Sequence, residues 1–94
     1  MIEKDVDVDG KNVHVKVRKL TYGEMNNIFQ RCTEVKVVGQ ATNISMNMFK
    51  LQHEITVASV SLSEGKVDDL PVTVGRELED MALKENGMSG ESFQ

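Results

Sequence analysis

Residues 13–24 read V-H-V-K-V-R-K-L-T-Y-G-E, and their periodicity changes within that stretch. Val13, Val15 and Val17 alternate with His14, Lys16 and Arg18, the period of a half-buried strand. Thr21 and Glu24 then form a T-x-x-E capping box, which marks a helix start. A strand therefore runs through Leu20 straight into a helix. This places the chain in the α+β class, as an N-terminal β-hairpin packed against about three α-helices.

Working outward toward the N-terminus, residues 4–18 read as the hairpin. Val6 and Val8 share a face with Val13, Val15 and Val17, and Asp9-Gly10 is the turn signal. A two-residue loop would set Val6 against Val13. A four-residue loop, Asp9 to Asn12, would set Val8 against Val13 and Val6 against Val15. The longer loop matches more apolar pairs and is the preferred register. The other face carries Asp5, Asp7, His14, Lys16 and Arg18 and reads as solvated. An isolated hairpin is marginal in water, so helices must cover its valines.

Toward the C-terminus, a helix over 22–33 places Tyr22, Met25, Ile28, Phe29 and Cys32 on one face. Gly23 lowers helix propensity there and reads as room for the hairpin to approach. Val35, Val37 and Val38 suggest a short strand, and Gly39 to Asn43 a loop. Residues 34–43 could add an edge strand to the hairpin or form a mobile excursion, and the excursion is preferred. The next helix is expected over 44–62, with Asn43 as N-cap. Its core stripe is Ile44, Met48, Leu51, Ile55, Ala58 and Leu62, in alternating steps of four and three. Met46, Phe49, Val57 and Val60 form a second stripe. Either this stripe packs centrally or it offers a spare apolar face to another chain, so these four are the candidate partner-binding residues. After the turn at Glu64-Gly65-Lys66, a helix over 70–86 starts near Pro71. It presents Val74, Leu78, Met81 and Ala82, and stops at Asn86-Gly87. Residues 1–87 thus make one domain, and 88–94 read as a disordered tail.

Composition narrows the function classes. A 94-residue chain has room for one small core. With three Phe, one Tyr, no Trp and six Met, that core is aliphatic and adaptable. The net charge is −4; residues 1–20 carry +1, 21–63 are neutral, and 64–94 carry −5. Such a field disfavours nucleic acid and anionic membrane surfaces as partners. One cysteine, Cys32, excludes an internal disulfide and reads as core. The charged N-terminus and the lack of a long apolar run point to a cytoplasmic address.

No chemistry announces itself. His14 falls on the solvated strand face and His53 on the second helix, neither in a metal or nucleophile motif. No phosphate loop is present, and the carboxylates lie on exposed helix faces. No catalytic, cofactor-binding or metal-binding residue is assigned, no cofactor is expected, and the chain is read as a non-enzyme.

The order of motifs resembles a known family. A G-K-x-V-x-V strand (residues 10–15) leads into L-T-x-G-E (20–24). After a helix and a variable loop come F-K-L-Q-H-E-I-T-V-A-S-V (49–60), a glycine turn, and V-D-D-L-P-V-T-V-G-R-E-L (67–78). This succession is similar to the small tail assembly chaperones of long-tailed phages and related prophages. The resemblance implies a protein that holds the tape-measure protein until tail tube protein polymerises around it. It implies action in the host cytoplasm and absence from the mature virion. On this reading the holding groove lies between the second and third helices, with Met46, Phe49, Val57 and Val60 along it. The spare apolar stripe also hints at a homo-oligomer. Two other classes fit the composition: a small virion structural subunit of the tail or head-tail connector, and a small acidic regulator of a host enzyme.

Overall fold

The computed structural model describes residues 1–88. Strands β1 (Ile2–Val8) and β2 (Lys11–Val17) form the N-terminal hairpin. Its loop is the two-residue one, with Val6 opposite Val13 and Val8 opposite Lys11, so the expected four-residue loop is wrong. Backbone conformation outweighs the number of valine pairs here. Asp9 (φ 52°) and Gly10 (φ 85°) are both left-handed, as a type I′ turn requires. The Gly10 N–H donates to Asp7 Oδ1 at 2.9 Å and fastens the turn.

Helix α1 (Tyr22–Cys32) starts where the capping box places it. The Glu24 N–H donates to Thr21 Oγ1 at 3.2 Å, and the Thr21 N–H to Glu24 Oε1 at 3.0 Å. Ile28 and Cys32 are buried, with Met25 and Phe29 packed beside them. Tyr22, expected on the same face, is instead 88% exposed at the first helical position. Gly23 meets nothing that a Cβ would disturb, so it marks no close approach.

Residues 33–46 overturn the expected excursion. They form a second hairpin, β3 (Thr33–Val38) and β4 (Ala41–Met46), as a separate two-stranded sheet and not an edge of the first. Gly39 (φ 63°) supplies the positive φ that a tight two-residue turn needs. Helix α2 therefore spans Met48–Ser59 rather than 44–62, and Asn47 replaces Asn43 as its N-cap, accepting from the Lys50 N–H at 3.1 Å. The two asparagines lie about one helical turn apart, so helix periodicity alone does not separate them. The β-branched Thr42 and Ile44, together with the turn at Gly39, favour a strand for the first part.

At the other end Val60–Leu62 leaves the helix as β5, antiparallel to β2, with Val60 opposite Val17 and Leu62 opposite Val15. The main sheet has the order β1-β2-β5. A 3₁₀ turn at Val67–Asp69 leads to α3 (Val72–Glu85). Leu78 and Ala82 of α3 lie on the valine face of the sheet with Val6, Val13, Val15, Val17 and Val60, while Val74 and Met81 pack at the margin. The next residue, Leu83, turns to the other side and joins Ile28, Cys32, Leu51 and Ile55 in a second cluster between the helices. Helix α3 is thus the wall shared by both halves of the core. It ends in a Schellman motif: Gly87 has φ 73°, the Met88 N–H donates to Leu83 O at 2.7 Å, and the Gly87 N–H to Lys84 O at 3.1 Å. Met88 packs on the second cluster and so is not tail. The rest of the expected tail, residues 89–94, lies outside the described residues.

Candidate functional site

The β3–β4 hairpin begins in the core and leaves it. Cys32, the last residue of α1, is buried, and burial pushes its thiol pKa up, so it acts as packing. One residue later the strand starts. Its base is tied down at several points. The Asn47 N–H donates to Cys32 O at 2.9 Å, Thr33 Oγ1 donates to Phe29 O at 2.7 Å, and Lys50 Nζ donates to Arg31 O at 3.0 Å. Beyond this base the two strands pack appreciably only against each other. At about 3.3 Å per residue, six-residue strands carry the tip roughly 20 Å from the base.

The register sorts the side chains. Thr33 faces Met46, Val35 faces Ile44, and Val37 faces Thr42. These pairs share one side of the ribbon, because opposed residues of an antiparallel pair project together. Val35, Val37, Ile44 and Met46 therefore make one apolar face, and they are 60, 68, 72 and 38% exposed. The opposite side carries Glu34, Lys36 and Val38 against Ser45, Asn43 and Ala41. No helix or strand among the described residues lies over the apolar face as α3 lies over the first sheet.

Of the four residues expected to line one groove, Val57 and Val60 border a common depression of about 240 Å³ beside Leu62, Gly65 and Val67, while Met46 and Phe49 lie apart from it. Met46 sits on the ribbon, near its base. Phe49 is 84% exposed in the first turn of α2, and Val57 is half-exposed on the same helix face, with His53 between them. Val60, in β5 of the first sheet, is a core residue only 7% exposed, so contrary to expectation it offers almost no surface to a partner. The groove between α2 and α3 exists as a depression of about 270 Å³, but His53, Thr56, Val72, Gly75, Arg76 and Glu79 line most of it. None of the four expected residues does. The apolar surface that sequence reasoning missed is the ribbon. The signal for it was the alternation of Val35 with Val37 and of Ile44 with Met46 around Gly39.

The histidines lie among carboxylates at the surface. His14 Nδ1 is 2.8 Å from Asp5 Oδ1 and Nε2 is 3.2 Å from Glu3 Oε1; hydrogen bonds to Asp5, then to Glu3, hold its pKa above the ordinary 6.5. His53 Nε2 lies 2.6 Å from Asp68 Oδ1. Glu24 receives two hydrogen bonds from Arg18, at 2.9 and 2.7 Å, and with the Thr21 backbone bond they pull its pKa down to about 2. That pair locks the β2–α1 junction. Among the described residues no group of three or more His, Cys, Asp or Glu is placed to hold a metal ion, and no helix is long and apolar enough to cross a membrane.

Comparison with protein-family models, with curated proteins and with solved structures finds no match to this chain.

Proposed function

We propose that the chain is a non-enzymatic phage tail assembly chaperone that binds the tape-measure protein, with the apolar face of the β3–β4 ribbon as the holding surface. The observation that carries this reading is an aliphatic face, Val35, Val37, Ile44 and Met46, that no helix or strand among the described residues covers. A tape-measure chain is long and helical, with apolar stripes that aggregate until tube subunits enclose it. A ribbon presenting four aliphatic side chains can lie along such a stripe. Burying each gains roughly 1.5–3 kcal/mol at most, and association costs about 4–15 kcal/mol. The balance gives weak contact at each ribbon, which suits a protein that must let go when tail tube protein arrives. Phe49 and Val57 supply further exposed apolar contact on α2. The acidic last third keeps the chaperone repelled from acidic competitors. On this reading it acts in the host cytoplasm and leaves before the virion is complete.

Co-expression with the tape-measure protein of the same phage or prophage tests this. The expected result is a tape-measure protein that stays soluble only with this chain, and purified particles that lack the chain. Recovery of the chain in stoichiometric amounts from finished particles would make it a structural subunit instead. Co-purification with a host enzyme alone would make it a regulator.

A further inference from the structure

The ribbon has a second unsatisfied feature, distinct from its apolar face: the free edge of β3. Residues flanking a two-residue hairpin loop form a hydrogen-bonded pair, and such pairs alternate along the ladder. Val38 and Ala41 flank the loop, so Lys36 and Glu34 also bond toward β4. The Asn47 N–H to Cys32 O bond at the base continues that alternation. The N–H and C=O groups of Thr33, Val35 and Val37 consequently point away from β4, and among the described residues none reaches another element.

We propose that this edge pairs with the same edge of a second copy of the chain, antiparallel and about a two-fold axis at Val35. In that register Val35 faces Val35 of the partner subunit as a hydrogen-bonded pair. Glu34 faces Lys36 of the partner subunit, and Lys36 faces Glu34 of the partner subunit. Among the described residues neither Glu34 nor Lys36 has an ion-pair partner within its own chain. The pairing supplies both, at the closely approaching non-hydrogen-bonded positions.

Charge also selects the register. A slip of the two-fold axis by one residue to either side sets Glu34 against its own copy or Lys36 against its own copy, and like charges directly opposed are destabilising. A register that opposes odd to even positions turns one apolar face over and breaks its continuity. Only the two-fold at Val35 keeps opposite signs together and both apolar faces on one side. The other edge, β4, carries no charged side chain and selects no register. Of the two outer strands of the first sheet, β1 is guarded by Glu3, Lys4, Asp5 and Asp7, which have no such self-complementary order, and β5 is three residues long and uncharged. The product is a sheet of order β4-β3-β3-β4 with the aliphatic face doubled in width. The pairing needs no foreign partner, so it stands apart from the tape-measure reading. A short edge buries little area, and the association is accordingly weak and reversible.

Sedimentation equilibrium of the full chain, from micromolar to millimolar concentration, tests the pairing. The wild type is expected to approach twice the monomer mass. Glu34→Lys and Lys36→Glu, each alone, oppose like charges twice across the axis and are expected to weaken the dimer by about tenfold or more. An equimolar mixture of the two variants restores opposite signs and is expected to form a heterodimer at least as tight as the wild-type dimer. Circular dichroism of each variant checks that the monomer is folded. A wild type that remains monomeric throughout, single variants that dimerise as well as wild type, or a mixture that fails to associate would each overturn the proposal.

Discussion

The molecule contains two hairpins with valines in alternation, and they meet opposite fates. In the first, Val13, Val15 and Val17 vanish beneath α3, which lays Leu78 and Ala82 across them. In the second, Val35 and Val37 are mostly exposed, and no helix or strand among the described residues lies over them. Period-two alternation specifies a strand with an apolar side in both. It does not say what covers that side. Cover comes from elsewhere in the chain: β5 extends the first sheet, and α3 is held across it by the Schellman stop and by Asn86. The Leu20 N–H donates to Asn86 Oδ1 at 2.7 Å, and Asn86 Nδ2 bonds Ala82 O at 2.9 Å, so the end of α3 is pinned to the exit of β2. Among the described residues the second hairpin has no such lid.

The contrast can be broken hardest at Val60 and Phe49, which sequence periodicity put on one stripe. Val60→Asp places a carboxylate against buried valines and is expected to unfold the domain at room temperature, since a buried unpaired charge is among the costliest changes. Phe49→Asp is expected to leave stability within about 0.5 kcal/mol. Urea denaturation of both distinguishes them, and equal loss would place Phe49 in the core.

Next in size is the lid itself. Leu78→Ala should cost about 2–5 kcal/mol, whereas Val37→Ala on the ribbon should cost less than about 0.5 kcal/mol. Similar costs in thermal unfolding would mean that the second hairpin is covered after all. Asn86→Ala removes the pin at the end of the lid and strands the Leu20 N–H; about 1–3 kcal/mol is expected from denaturant midpoints.

The smallest effects are those of pH, and they act on the first hairpin and its junction with α1. Glu24 has a folded pKa near 2 against the ordinary 4.5, so its stabilisation is complete above 4.5 and is lost as pH falls toward 2. His14 is raised above 6.5, so its contribution is complete below 6.5 and is lost as pH rises through its folded pKa. Melting temperature should therefore fall at the acid end in wild type but less in Glu24→Gln. It should fall slightly on the alkaline side in wild type but not in His14→Asn. Unchanged profiles in the two variants would remove these pairs from the account.

The elements that were legible in the sequence are those whose signals agree. Thr21 and Glu24 cap α1 because alternation ends where the capping box begins. Cys32, Leu51, Ile55, Leu78 and Ala82 fall in the core because helical spacing and burial coincide there. The reading failed where two periods overlap. Ile44 stands four residues before Met48 and two before Met46, so one residue serves both a helix stripe and a strand face. Val60 and Leu62 share the same ambiguity at the other end of α2, where a helix gives way to a three-residue strand. The register of the first loop follows the left-handed geometry that Asp9 and Gly10 allow and not the number of matched valines. For the candidate site, exposed Met46, Phe49 and Val57 were legible as apolar surplus. That the greater surplus lies on a free-standing ribbon was not, because exposure depends on what the rest of the chain fails to cover.

On the proposed function, the exposed valine face of the ribbon is the one a partner occupies. Methyl-resolved NMR of the labelled chain, titrated with a helical segment of the tape-measure protein, tests it most directly. The methyl signals of Val35, Val37, Ile44 and Met46 are expected to shift or broaden while those of Val13, Val15 and Val17 hold still. Shifts confined to the first sheet and α3, with the ribbon unmoved at saturation, would contradict it.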